Sequence, residues 1–323
     1  GAAFIRGTRE AGVIAVAKHF PGHGGVSVDS HYGLPVLEAS ADDLWAVELA
    51  PFRSAIAAGV EVIMSAHLAV PALTGDHTPA TLAPQIMTDL LRGRLRFNGV
   101  AMTDDLSMKG ITGTLGQPEA AVQAVEAGCD VVLVVACGVV QDEVQAALME
   151  AVRSGRLSEA RIDESVRRIL SLKARSGLFT PRGGSLSVVG SPEHQALARE
   201  VAARAITALQ PRGPALAAQR RTLAVVPGYL PPGQEEGWTL FGEEVRRRSS
   251  TCREVLYDPY AQAGLEPLLA EVPQLAGEYD QVVIGLWDAS LLRAWGGGDA
   301  PYRLARAFSE AGMRVAVVAF HLP

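Results

Sequence analysis

Four times in its first half the chain passes through a short, largely apolar stretch and then a longer amphipathic one. The apolar stretches are residues 13–17, 60–65, 99–103 and 130–135, rich in Val, Ile, Ala and Met. Runs this short, apolar on both faces, predict parallel strands covered on both sides. The segments between and after them, 41–58, 84–95, 118–127 and 140–154, carry a helical pattern. A further helix over 158–176 starts from a cap at Ser158, or later at Asp163. Repeated strand–helix units predict a parallel sheet, open or closed into a barrel. The polar, Gly-rich and His-rich stretches follow the strands, at the C-terminal strand ends where α/β barrels carry their active sites.

A closed barrel of this type needs eight strand–helix units, twice the number read here. The pattern therefore predicts either a smaller open sheet or the second half of a barrel. Residues 1–12 read as the tail of a helix, and 314–320 as a strand without its following helix, so a chain trimmed at both ends is expected. Residues 180–192, dense in Pro, Gly and Ser, read as a linker, with a helix over 192–209 behind it. Strands over 222–226, 281–286 and 314–320, a Gly296-Gly-Gly298 loop and a helix over 301–311 predict a second α/β domain. The expected boundaries are 1–179, 180–209 and 210–323, the last truncated at its C-terminus.

A length of 323 residues suits two domains. The formal net charge of −6 and the single short basic run Arg246-Arg247-Arg248, read as the polar end of a helix, give no footprint for nucleic acid. Cys129, Cys137 and Cys252 form no CxxC pair and no disulfide framework, and the first two read as core residues. No stretch is long enough to span a membrane and no leader opens the chain, so a cytoplasmic location is expected, with secretion as the alternative.

The chemistry concentrates in three post-strand segments. The first is Lys18-His-Phe-Pro-Gly-His-Gly-Gly-Val-Ser-Val-Asp-Ser-His31. Lys18 and His19 fall at a strand end, and Asp29 and His31 are two apart, on the same side of an extended stretch. A carboxylate beside an imidazole raises its pKa and fixes its tautomer, which suits a general acid/base. Any one of His19, His23 and His31 alone reads as a loop histidine bonded to backbone; their concentration with Lys18 and Asp29 does not. The second is Gly99-Val-Ala-Met-Thr-Asp-Asp-Leu-Ser-Met108, where Asp104 is in phase with Val100 and Met102 and Asp105 is not. An ionised Asp104 there can act as a nucleophile, and the plain alternative is a helix cap. The third is Met64-Ser-Ala-His67, whose His67 either points into the same mouth or packs in the core.

Together these segments resemble the family 3 glycoside hydrolases, specifically their β-N-acetylglucosaminidase branch. The matching pieces are Lys18-His-Phe-Pro-Gly-His-Gly24, Asp29-Ser-His31 with Leu34-Pro35, Met64-Ser-Ala-His67, Pro79-Ala-Thr-Leu82 and Thr103-Asp-Asp-Leu-Ser-Met108, in family order, and the helix ending Arg168-Ile-Leu…Gly177-Leu-Phe179. The resemblance covers most of residues 1–210. It implies a (β/α)8 TIM-type barrel, of which only the later strands lie here, followed by a second α/β sandwich domain. It implies Asp104 as catalytic nucleophile, His31 as acid/base with Asp29 as partner, and Lys18 and His19 as holders of sugar hydroxyls. His67 is grouped with them as substrate-binding. The family's glutamate acid, typical of its β-glucosidases, gives way to the Asp-Ser-His loop. An aspartate and an arginine of the family's earlier strands have no counterpart.

The expected activity is retaining hydrolysis of β-linked N-acetylglucosamine from peptidoglycan fragments or chito-oligosaccharides, with some phosphorolysis, because a histidine base does not repel phosphate. The expected partner is a small carbohydrate, with no nucleic acid, no cofactor and no metal. The oligomeric state stays open. Two rivals remain at this point: a metal-dependent hydrolase using His19, His23, His31, His67, Asp29 and Asp104, and a non-catalytic sugar-binding derivative of the same fold.

Overall fold

The computed structural model describes residues 1–135, 138–180, 185–207, 216–228, 240–257, 262–286 and 299–319. Cys137, the Gly296–Gly298 loop, Phe320 and the end of the expected 192–209 helix lie outside the described residues. The chain divides into two compact units, Gly1–Leu186 and Ser187–Pro323.

The first unit opens with helix α1 (Ala2–Glu10) and carries four parallel strands, β1 (Val16–Phe20), β2 (Val62–Ser65), β3 (Val100–Asp105) and β4 (Val131–Leu133), in the order β1-β2-β3-β4. Between β1 and β2 lie α2 (Ala41–Asp43) and α3 (Ala50–Ala57), joined by a π-type segment, Leu44–Glu48. The single helix expected over 41–58 is thus widened in its middle. Pro51 stands near the start of α3 and brings no N–H to the preceding turn, where Leu49 N–H reaches the Leu44 carbonyl instead. Helix α4 (Pro71–Thr74) and a π-type helix (Gln85–Arg94) connect β2 to β3. Helices α5 (Lys109–Thr112) and α6 (Gln117–Ala127) connect β3 to β4, and α7 (Val139–Arg153) and α8 (Glu159–Arg175) follow. Ser158 caps α8, its Oγ accepting from Arg161 N–H at 3.2 Å, so the later start at Asp163 is not used.

The first strand begins three residues later than its apolar run. Val13 is spent on closing α1, its N–H donating to the Thr8 carbonyl while Gly12 takes φ +78°. Val16, at the start of β1, is 46% exposed. One face of the sheet packs through Phe20, Ile63 and Ala101 onto Phe52, Ile86, Leu91 and Ala124 of the helices. At the strand beginnings, Val62 and Val100 pack against Leu172 of α8. There too Asp130 is fully enclosed. Its carboxylate accepts from Arg92 at 2.6 Å, Arg168 at 3.0 Å, Ser165 Oγ at 2.8 Å and Ala101 N–H at 3.0 Å.

In the second unit, helix α9 (Pro192–Ala205) precedes a parallel sheet in the order β6-β5-β7-β8. Its strands are β5 (Arg221–Pro227), β6 (Thr251–Tyr257), β7 (Gln281–Leu286) and β8 (Arg314–Ala319). Helices α10 (Leu240–Arg247), α11 (Gln262–Glu278) and α12 (Ala300–Glu310) alternate with them, and Leu265, Leu268, Leu304 and Phe308 fill the core against Leu223, Val225 and Ile284. β6 and α11 add to the sequence expectation. Pro267 and Pro273 stand inside α11 and break up its helical signal.

Candidate active site

Two of the expected site segments sit where the parallel ladder loses its register. β1 pairs with β2 at Val16 and Ala17, then slips before Phe20, so Lys18 and His19 occupy the irregular stretch. β3 pairs with β4 at Met102, then slips before Asp105, so Thr103 and Asp104 do the same. Such breaks re-aim side chains at strand ends. Here they bring His19 Nε2 to 3.3 Å from Asp104 Oδ2, each group partly shielded. Burial lowers the His19 pKa; Asp104 opposes that shift, and Lys18, His23 and His67 add to it. Lys18 is exposed on the same strand end.

Beyond β1 the chain turns over the cis bond Phe20–Pro21, with a second cis bond at Lys18–His19. Gly22, at φ +142°, and Gly25 lie so close to Glu48 that a Cβ on either would clash with its carboxylate. His23 follows, its ring edge-on to His19 at 6.0 Å and its Nε2 3.2 Å from the Ser30 hydroxyl. Ser30 is buried, and its carbonyl accepts from the Gly110 N–H of α5 at 3.0 Å. The flanking residues Asp29 and His31 are thereby held on a loop docked to the helix that follows β3.

Asp29 and His31 do pair, but through a turn instead of the extended stretch expected. Asp29 Oδ1 accepts from the His31 backbone N–H at 2.9 Å and meets His31 Nδ1 at 2.6 Å, while the Asp29 carbonyl accepts from Tyr32 N–H at 3.0 Å. The backbone bond from His31 is the main reason the Asp29 pKa lies below the usual carboxylate range. The pair is open to solvent, 67% exposed at the imidazole and 52% at the carboxylate. With Nδ1 engaged, Nε2 is the ring nitrogen free to exchange a proton.

Asp104 Oδ1 accepts from the next backbone N–H, that of Asp105, at 2.9 Å. Asp105 is turned aside. Its carboxylate accepts from the Ser107 hydroxyl, Ser107 N–H at 3.2 Å and Val135 N–H at 3.1 Å. Burial works against its ionisation, and the Ser107 and Val135 bonds outweigh that and hold it low.

His67 departs from expectation. Its side chain is 0% exposed, with Nδ1 2.9 Å from Thr81 Oγ1 and Nε2 3.0 Å from the Asp105 carbonyl. Both ring nitrogens are taken by protein groups, so direct contact with a sugar, expected from sequence, is corrected to a buried place beneath the strand ends. Its partner Thr81, which also meets the Ser65 hydroxyl at 2.7 Å, was given no role by sequence reasoning. The Pro79-Ala-Thr-Leu82 match was the one signal for Thr81, and it carried no role. Among the described residues no group of three His, Cys, Asp or Glu side chains is placed to hold a metal, and no helix is long and apolar enough to cross a membrane. A cavity of about 570 Å³ is lined by residues 112–118, Val140 and Glu143, and none of the candidate residues lines it.

Residues 1–172 match the glycosyl hydrolase family 3 N terminal domain. The chain is 36% identical over 223 residues to a beta-N-acetylglucosaminidase/beta-glucosidase of Cellulomonas fimi, covering 64% of this chain and 38% of that protein. It is 34% identical over 234 residues to beta-hexosaminidase A of Pseudoalteromonas piscicida, covering 66% and 39%. It thus spans about two fifths of the length of these relatives. Among solved structures it is similar, with a TM-score of 0.87 and 34% identity over 99% of this chain and 61% of the other, to a glycoside hydrolase family 3 beta-N-acetylglucosaminidase from Paenibacillus sp. str. FPU-7. Parallel strands in sequential order, an aspartate at the end of the third and a family match over more than half its length together establish that the chain belongs to glycosyl hydrolase family 3.

Proposed function

We propose that this chain carries the reacting residues of a retaining β-N-acetylglucosaminidase acting on peptidoglycan fragments or chito-oligosaccharides. The observation that carries the reading is Asp104 at the end of β3. Its carboxylate is held by the Asp105 N–H and His19, and the loop bearing the Asp29–His31 pair docks on α5, the helix that follows β3. A retaining glycosidase pairs a nucleophile with an acid/base group on a sugar bound between them.

In the proposed reaction an Asp104 oxygen attacks the anomeric carbon as the bond to the leaving oxygen breaks. His31 Nε2–H gives that oxygen its proton, and Asp29 stabilises the imidazolium through Nδ1. The neutral Nε2 then takes a proton from water, whose oxygen displaces Asp104 from the anomeric carbon and releases the sugar with retained configuration. Lys18 and His19 hold sugar hydroxyls beside Asp104. Phosphate is the second acceptor proposed, since the base that faces it is an imidazole.

The test is turnover of an aryl β-N-acetylglucosaminide by the full-length protein. Asp104→Ala is expected to remove at least about 10³-fold of kcat with the fold intact. Undiminished kcat in that variant sinks the assignment.

A further inference from the structure

His67 takes no part in the steps above, yet its surroundings are more closely determined than those of any residue that does. Burial pushes its pKa down, so the ring is neutral near pH 7. A neutral imidazole has one N–H. The Asp105 carbonyl can only accept, which places the proton on Nε2 and leaves Nδ1 to accept from the Thr81 hydroxyl. That hydroxyl is 2.7 Å from Ser65 Oγ and 3.0 Å from the Ala66 carbonyl, so its proton is shared between two acceptors while Ser65 donates to it.

The far end of this chain of bonds is Asp105, which is gripped on two sides. His67 holds its carbonyl, and Ser107 and Val135 hold its carboxylate. Its remaining polar group, the backbone N–H, holds Asp104 Oδ1. This matters because the ladder slips between Met102 and Asp105, where regular strand pairing no longer sets the direction of Asp104. The backbone of His67 also lies close against Gly110 of α5. A Cβ on Gly110 would lie 2.9 Å from the His67 carbonyl oxygen and 3.4 Å from that of Gly33, and Gly110 N–H carries the Ser30 carbonyl between Asp29 and His31.

We propose that His67 is a positioning residue, which aims Asp104 through the Asp105 backbone and whose main chain, through Gly110, seats the loop bearing Asp29 and His31. The proposal rests on Asp104 as nucleophile. It predicts that the ring's Nε2–H matters, not its charge. His67→Gln can replace that donor, and His67→Leu cannot.

The experiment compares these variants in the full-length protein with an aryl β-N-acetylglucosaminide, and follows the His19 titration by NMR. His67→Leu is expected to lose about 10²-fold in kcat with KM within about threefold, the scale of a nucleophile displaced by about 1 Å. His67→Gln restores kcat to within about tenfold. The groups facing His19 are Asp104, Lys18, His23 and His67. Of these only Asp104 supports the charged ring, so an Asp104 that swings away lowers the His19 pKa. That fall is expected in His67→Leu, with Asp104→Asn as the reference, and not in His67→Gln. Thr81→Val, which strips the hydroxyl from Nδ1, gives the same changes in smaller measure and decides the matter if His67→Leu does not fold. Wild-type kcat in a folded His67→Leu, or a lost kcat with an unmoved His19 titration, overturns the proposal. A wild-type protein without turnover defeats the nucleophile reading instead, and the His19 titration then decides alone whether His67 aims Asp104.

Discussion

The acid/base role proposed for His31 rests on one neighbour and on water. Asp29 fixes Nδ1, and solvent reaches the rest of the ring. Truncation therefore removes a proton donor without opening a cavity. His31→Ala is expected to slow an activated aryl glycoside by about tenfold at most and an unactivated oligosaccharide by about 10²–10⁴-fold, the range of general acid catalysis. The comparison of kcat/KM across leaving-group pKa checks this; equal losses on both substrates would count against the assigned role. The half-buried His19 and the buried His67 act on stability instead. His19 and His67 have pKa values lowered from 6.5 by burial, so the unfolded chain takes up protons that the folded chain refuses. Stability is expected to fall as pH drops below about 6.5, and His67→Gln should flatten that fall, as read from urea midpoints between pH 7.5 and 5. Asp29 acts at lower pH. Its depressed pKa contributes stability above the ordinary carboxylate range that is lost as pH falls through the folded value, and the contribution is small because the group is half exposed.

At the level of elements, the two ends of the parallel sheet are built differently. At the C-terminal ends of β1 and β3 the ladder slips and polar side chains are re-aimed. At the strand beginnings, α8 and the Gln85–Arg94 helix close on Asp130 with charge. Arg92, whose pKa burial depresses, and Arg168 depend on that carboxylate. Asp130→Ala removes the carboxylate they share, leaving Arg92 only the Phe97 and Gly99 carbonyls and Arg168 only Glu164, and is expected to cost about 3–5 kcal/mol, measured by urea unfolding. A loss under about 1 kcal/mol would mean that water replaces the carboxylate. Sequence misjudged two elements. Val13 is apolar and was counted into β1, whereas it completes the turn ending α1. α11 was obscured by two prolines that its packing against the second sheet tolerates, with Leu265, Leu268 and Leu275 all buried. The first miss is a local turn that took an apolar residue from the strand, and the second is a local rule that lost to tertiary packing.

Across the whole molecule, each unit has its own apolar core, one around Phe20, Ile63 and Leu91 and the other around Leu223, Ile284 and Phe308. Phe308 is fully buried, so Phe308→Ala is expected to cost the second unit about 3–5 kcal/mol, read by calorimetry. The strand–helix alternation, the parallel sheets and the Asp29–His31 pair were legible from sequence alone. They depend on spacing of a few residues, on hydrophobic period and on turn chemistry, all of which are written along the chain. What only the tertiary structure decided is which imidazole meets which group. His19 faces Asp104 across two strand ends, and His67 is enclosed by Thr81 and Asp105. Burial and charge at those positions come from residues far apart in sequence, and no local pattern carries that information.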